Sequence, residues 1–399
     1  MKKKPELLAP AGDLEKLKWA IDYGADAVYI GGPFLGLRAN AKNFTLEEIK
    51  EGCDYAHVRG KKVYVTVNIV LHNIELKHVE KFLKHLEECH VDAIIVSDPA
   101  IIQIASSKTN LEIHLSTQQS TLNYEAVEYW YQEGVTRIVL GREASLEEIK
   151  EIKKRVPIEI ECFIHGAMCA SISGRCVMSN FLTNRDANRG GCAQICRWDF
   201  DLLNENKKEI KGEQKFTFCS KDLSSLEYIP QMIDLGIDSF KIEGRMRSIY
   251  YIATIVNIYR KVIDEYCMYP NQYHYNEEYE HTLRNCANRD ATPQFIANIN
   301  DERLGYYNGR EEVSNQDFLG IVLSYNEKEK VATIEQRNYF KKGDIVEIFG
   351  PNQETITYVI DSIINEDGKE IEIVRHPRQI VKLPISTTVF ANDLIRIKR

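Results

Sequence analysis

Four cysteines in one arginine-rich stretch are the residues of this chain whose type and spacing most plainly suit chemistry. They are Cys169, Cys176, Cys192 and Cys196, with six, fifteen and three residues between successive thiols. The stretch opens as His165-Gly-Ala-Met-Cys169 and closes as Cys196-Arg-Trp198. Soft thiolate ligands select zinc, copper(I) or iron–sulfur clusters. The tight Cys-x2-Cys knuckles of zinc sites are absent. The looser spacing suits a cluster held by four thiolates on a folded excursion. The plain alternative is a set of buried or merely reactive thiols, because free cysteine behaves as a small hydrophobe.

Arginines crowd the same region. Arg175, Arg185, Arg189 and Arg197 lie among the cysteines, and Arg245 and Arg247 follow a later apolar segment. In a chain of net charge −8 this concentration points to an anionic ligand, since the guanidinium fork matches carboxylate or phosphate. The competing use is internal pairing with Asp186, Asp199 and Glu243. Arg38 and Arg142 extend the rim. The substrate-binding set is therefore Arg38, Asn68, Gln118, Arg142, Arg175, Arg185 and Arg197, and the catalytic candidates are His165, Glu243 and Arg245. His165 is either a proton-transfer group or a satisfied core histidine. Glu161, inside an apolar run, needs a cationic partner, and Lys241 or Arg245 supplies one. Walker A, Rossmann, His-Glu-x-x-His and Gly-x-Ser-x-Gly motifs are missing.

These residues must be positioned by a regular scaffold. Four segments repeat one pattern, a helix end followed by a short apolar strand: 24–30, 90–96, 134–140 and 236–242. Strands are expected between them at 6–10, 62–68, 111–117 and 158–165, with helix caps at Asp13, Thr45 and Ser145. Eight strands alternating with helices predict an α/β fold, a (β/α)8 TIM-like barrel, over an open doubly wound sheet. Asn68, Gln118, Arg142, His165, Glu243 and Arg245 all fall at or just beyond expected strand C-termini, the face that carries active sites in this fold. The cysteine excursion, 166–200, leaves from the seventh strand on that face.

The barrel domain is expected over 1–270, a wrapping linker over 271–315, and a small C-terminal all-β barrel domain over 316–399, where short alternating strands and the turn Asn365-Glu-Asp-Gly368 appear. Residues 2–4 are lysines without a following apolar signal core, and no apolar run approaches membrane-spanning length. A cytoplasmic protein with no membrane partner is the expectation.

Longer motifs carry a resemblance. Glu6-Leu-Leu-Ala-Pro-Ala-Gly12, Leu37-Arg-Ala-Asn-Ala-Lys-Asn-Phe44 and Ser116-Thr-Gln118 resemble the collagenase-like peptidase family U-32. So do Phe163-Ile-His-Gly-Ala-Met-Cys169, Ser173-Gly-Arg-Cys176, Ser220-Lys-Asp-Leu223 and Lys241-Ile-Glu-Gly-Arg245. The resemblance covers the barrel and the β-domain. It implies an oxygen-independent hydroxylase with a [4Fe–4S] cluster held by Cys169, Cys176, Cys192 and Cys196. It further implies a branch that converts the wobble uridine of the tRNA anticodon region to 5-hydroxyuridine, with prephenate as co-substrate. A paralogous protein subunit is a further expected partner. Cys219, ahead of Ser220-Lys-Asp-Leu223, competes with Cys196 as fourth ligand; Cys196 is preferred because Cys219 otherwise reads as part of an ordinary apolar segment. The alternatives are a peptidase, as the family name says, and a non-catalytic half of a heterodimer.

Overall fold

The computed structural model describes residues 2–37, 43–210, 215–287, 289–298 and 318–398. Arg38 and much of the expected linker lie outside the described residues. The chain divides into two compact units, Met1–Glu280 with Arg289–Glu311, and His281–Asn288 with Glu312–Arg399.

In the first unit strands and helices alternate: β1 Glu6–Pro10, α1 Leu14–Asp22, β2 Ala27–Gly31, α2 Leu46–His57, β3 Lys62–Val67, α3 Asn73–Glu88, β4 Ala93–Val96 and α4 Pro99–Lys108. There follow β5 Glu112–Leu115, α5 Tyr124–Gln132, β6 Arg137–Val139, α6 Leu146–Arg155 and β7 Glu159–Gly166. After a long connection containing α7 Met178–Thr183 come β8 Asp222–Ser224, α8 Ile229–Asp234, β9 Ser239–Ile242 and α9 Ile249–Met268. Strands β1 to β7 pair in sequence, all parallel, and β9 pairs in parallel with both β7 and β1. The result is a closed barrel of eight parallel strands. β8 is an addition: it pairs antiparallel with the end of β7, His165 opposite Ser224, and in parallel with β10 Ala291–Thr292.

Local chemistry fixes the helix starts. The Asp13 carboxylate accepts from the Lys16 N–H at 2.9 Å, and Thr45/Glu48 and Ser145/Glu148 form reciprocal capping boxes. At the turn before β4, where the other repeats have glycine, His90 takes a left-handed φ of 61°.

The barrel interior is partly charged. Glu161 is fully buried, with the Lys241 ammonium at 2.8 Å and Arg137 at 3.3 Å. Arg137 also reaches Glu6 at 2.5 Å and Glu159 at 2.8 Å, and the Tyr64 hydroxyl donates to Glu6 at 2.6 Å. Burial alone would raise the Glu161 carboxyl, but Lys241 and then Arg137 outweigh it and hold it at about 2. Beside this network Leu8, Ala27, Tyr29, Tyr64, Ala93 and Ile95 pack as an apolar cluster.

The second unit contains an antiparallel sheet of seven strands, in the order β15 Gln353–Val359, β14 Ile345–Gly350, β19 Leu394–Ile397, β11 Phe318–Asn326, β12 Val331–Gln336, β18 Ile380–Pro384 and β16 Ile364–Asn365. A separate pair joins β13 Phe340–Lys341 to β17 Ile373–Val374. Val322, Ile334, Val346, Ile348 and Leu383 are among the fully buried side chains of its core.

Candidate functional site

The connection from β7 to β8 carries all the clustered cysteines, and hydrogen bonds pin it to the C-terminal face of the barrel. The Ser173 N–H donates to Glu143, in the loop after β6, at 2.8 Å. Arg189 pairs with Glu75 at 2.5 Å and donates to the Val70 carbonyl at 2.6 Å, while Val70 N–H donates to the Asn188 carbonyl at 3.1 Å. The Ser220 hydroxyl donates to the Met168 carbonyl at 3.2 Å, which brings the returning chain back beside its departure.

Within the loop the thiols are organised by the same means. Thr217 Oγ1 donates to the Cys196 carbonyl at 3.3 Å and accepts from the Cys219 N–H at 3.2 Å. Backbone N–H groups of Met178 and Gln194 donate to the sulfurs of Cys176 and Cys192, each at 3.4 Å. Burial pushes the Cys196 thiol up to about 11, and neighbouring Cys169, Cys192 and Cys219 add to the rise. Thiol sulfurs that accept from backbone N–H groups are, in kind, the soft donors that a thiolate-bound cluster takes. Among the described residues no three His, Cys, Asp or Glu side chains are grouped to hold a metal ion. Cys219 is a buried residue leading into β8 and is tied through Thr217 to Cys196, so both lie where a fourth thiolate would be drawn.

Below the loop lies the mouth of the barrel. Arg245, only 6% exposed, reaches Thr66 Oγ1 at 3.4 Å. It occupies space that only a glycine at position 31 leaves open, since a Cβ there would collide with the Arg245 guanidinium and lie 2.8 Å from Asn43 Oδ1. The Tyr29 hydroxyl lies 3.1 Å from the Glu243 carboxylate and 3.0 Å from the Ile242 carbonyl, and the Lys241 ammonium sits 4.6 Å from the Tyr29 ring centroid. Arg142 stacks over Phe163 at 3.7 Å. Asp222, a residue that sequence reasoning did not single out, is 1% exposed and meets Arg289 at 2.8 Å and Arg247 at 3.6 Å. Burial lifts its carboxyl to about 6 against the pull of Arg247 and Arg197, with Glu243 adding to the lift. Its only signal was membership of Ser220-Lys-Asp-Leu223.

Glu243, Arg245, Arg142 and the Arg197 charge are thus gathered at the mouth. Asn68 and Gln118 stand at strand ends on the same face, and the Asn68 Oδ1 atom is buried without a hydrogen-bond partner. Arg175 and Arg185 are exposed on the loop, and Arg189 is spent on Glu75. His165 is turned away. A bulge between Phe163 and His165 shifts the β7–β9 register, so that Phe163 matches Lys241 but His165 matches Ile242. The imidazole therefore faces α9, with Nδ1 3.3 Å from the Tyr259 hydroxyl. Burial, reinforced by Arg247, brings its pKa down to about 3.

A (β/α)8 barrel whose mouth is lined by arginines and carboxylates under a cysteine-rich loop defines the class. The chain matches Peptidase family U32 over residues 12–305 and the Peptidase family U32 C-terminal domain over 314–396, and it belongs to this family. It is 50% identical over 400 residues to tRNA hydroxylation protein P1 of Bacillus subtilis, covering 99% of this chain and 95% of that protein. It is 40% identical over 259 residues to the 23S rRNA 5-hydroxycytidine C2501 synthase of Escherichia coli, covering 65% of this chain and 39% of that protein. It is 31% identical over 411 residues to a collagenase of Porphyromonas gingivalis, covering 97% and 96%. Among the described residues no helix is long and apolar enough to cross a membrane.

Proposed function

We propose that this chain is an RNA-modifying hydroxylase that acts on tRNA, converting the anticodon wobble uridine to 5-hydroxyuridine without molecular oxygen and with prephenate as co-substrate. The observation that carries the reading is the pairing of an arginine-lined barrel mouth with a thiol-rich loop pinned directly above it, in a chain half identical, end to end, to a protein named for tRNA hydroxylation. Cys169, Cys176 and Cys192, with Cys196 or Cys219 as the fourth thiolate, would hold a [4Fe–4S] cluster. Such a cluster supplies one-electron chemistry. The chain's own residues do the rest. Arg245 and Arg142 present guanidinium groups for the carboxylates of a small anion. Glu243, held by Tyr29, and Asp222, with a carboxyl titrating at about 6, are placed to take up or release a proton. An unpaired anticodon base suits this site because it can be splayed out of its stack.

The peptidase reading rests on the collagenase relative. The histidine leading into the cysteine loop is hydrogen-bonded to Tyr259 and kept neutral by burial, which leaves it ill placed to activate a neighbouring thiol. Mass spectrometry of tRNA nucleosides from a deletion strain, with and without complementation, tests the proposal. Loss of 5-hydroxyuridine restored by the wild-type gene is expected. An unchanged level in a strain lacking any paralogue overturns it, and gelatin cleavage by pure protein would favour the peptidase.

A further inference from the structure

We infer that the C-terminal unit carries its own docking surface for single-stranded RNA, built where β12 passes into β13 and β17 passes into β18. The inference rests on the reading that RNA is the substrate. Two antiparallel pairings fix the geometry. On one side Glu335 pairs with Ile380, and the Gln336 N–H donates to the Gln379 carbonyl at 2.9 Å. On the other Phe340 pairs with Val374 and Lys341 with Ile373. The residues between are therefore held face to face: Arg337 to Tyr339 on one segment, Arg375 to Arg378 on the other.

The composition of this clamp is one-sided. Neither 337–342 nor 373–379 contains an aspartate or glutamate, in a chain whose acidic residues outnumber its basic ones, 59 to 51. Arg375, His376 and Arg378 are exposed, and Tyr339 leaves 52% of its surface in solvent. Arg337 is paired to Glu335 at 2.7 Å, and Lys342, just beyond, to Glu370 at 2.9 Å. Arg378 holds a left-handed φ of 58°, a conformation that glycine or asparagine adopts more cheaply. An exposed ring flanked by unspent guanidinium groups is what sequence-tolerant single-strand binding uses, the base stacking on the ring and the phosphates meeting the cations. An acidic protein surface would use the cations but not the ring.

The test uses the full-length protein and unfractionated tRNA, with binding followed by fluorescence anisotropy across a salt series. Arg375→Ala/Arg378→Ala is expected to weaken binding about tenfold and to make the log–log salt slope shallower by about 1.4, two phosphate contacts' worth. Tyr339→Ala is expected to weaken it about tenfold, and Tyr339→Phe to preserve it. Arg375→Lys/Arg378→Lys keeps the charge and is expected to restore the slope, separating lost contacts from lost folding. Wild-type affinity and slope in all four variants overturn this inference alone. A wild-type protein that binds no tRNA overturns both the inference and the proposed substrate. Polyglutamate competing as well as a single-stranded RNA assigns the clamp to acidic proteins and overturns it too.

Discussion

Replacing Lys241 by methionine isolates the charged centre of the barrel. Glu161 would be left fully buried with Arg137 alone, at 3.3 Å. A carboxyl held at about 2 in the fold, against an ordinary value of 4.5, contributes about 3 kcal/mol at neutral pH. Because the folded value is depressed, that contribution is complete above about pH 4.5 and disappears as pH falls through about 2. Removing one partner of a buried pair costs about 3 to 5 kcal/mol, which agrees. Urea unfolding followed by tryptophan fluorescence is the assay, since Trp19, Trp130 and Trp198 all lie in the barrel unit. Lys241→Met is expected to lose about 3 kcal/mol at pH 7, with the deficit shrinking by about 2 kcal/mol at about pH 3. Glu161→Leu/Lys241→Met is expected to recover most of the loss, because no lone charge remains. A deficit below about 1 kcal/mol at pH 7, or one that does not change with pH, would refute the electrostatic account.

Three other outcomes follow from the mouth and the loop. Gly31→Ala is expected to keep the barrel folded while displacing the Arg245 guanidinium, weakening a dicarboxylate probe such as succinate by about tenfold in calorimetry; unchanged affinity removes Arg245 from the anion site. Binding of sulfate, an anion whose charge does not change over this range, should strengthen as pH falls through about 6, where the Asp222 carboxyl becomes neutral and stops competing for Arg247 and Arg289, and Asp222→Asn should bind at about pH 8 as wild type does at about pH 5. A pH-independent wild type counts against that role. Anaerobically reconstituted Cys169→Ser, Cys176→Ser and Cys192→Ser should each lose the visible absorbance and bound iron, while only one of Cys196→Ser and Cys219→Ser does; iron retained in all five variants ends the four-thiolate reading.

The scaffold was legible because each αβ junction repeats a turn followed by an apolar run, and because the polar strand ends mark one face. Thr45 and Ser145 announced their helices through residues three positions on. Other features were hidden for physical reasons. β8 is three residues long and follows a polar, irregular stretch, so no periodicity exposes it. Arg137 opens a strand otherwise apolar, and its role appears only once Glu6 and Glu161 arrive from distant strands. His165 stands at the expected end of the seventh strand, which left a proton-transfer group and a satisfied core histidine both open, and one extra residue in the ladder turns it away from the mouth. Asp222 acquires its carboxyl environment from arginines 25 and 67 positions away, which no local pattern encodes.

The long thiol-bearing connection leaves β7 and returns to pair with that same strand end, His165 to Ser224 and Gly166 to Leu223. Its two feet are therefore fastened to each other as well as to the barrel wall. Such a lobe can melt and re-form as a separate cooperative segment, at a free energy well below that of opening the cylinder. Damage to the sulfur-bearing lobe, and its subsequent rebuilding, can proceed while the eight-stranded wall stays shut.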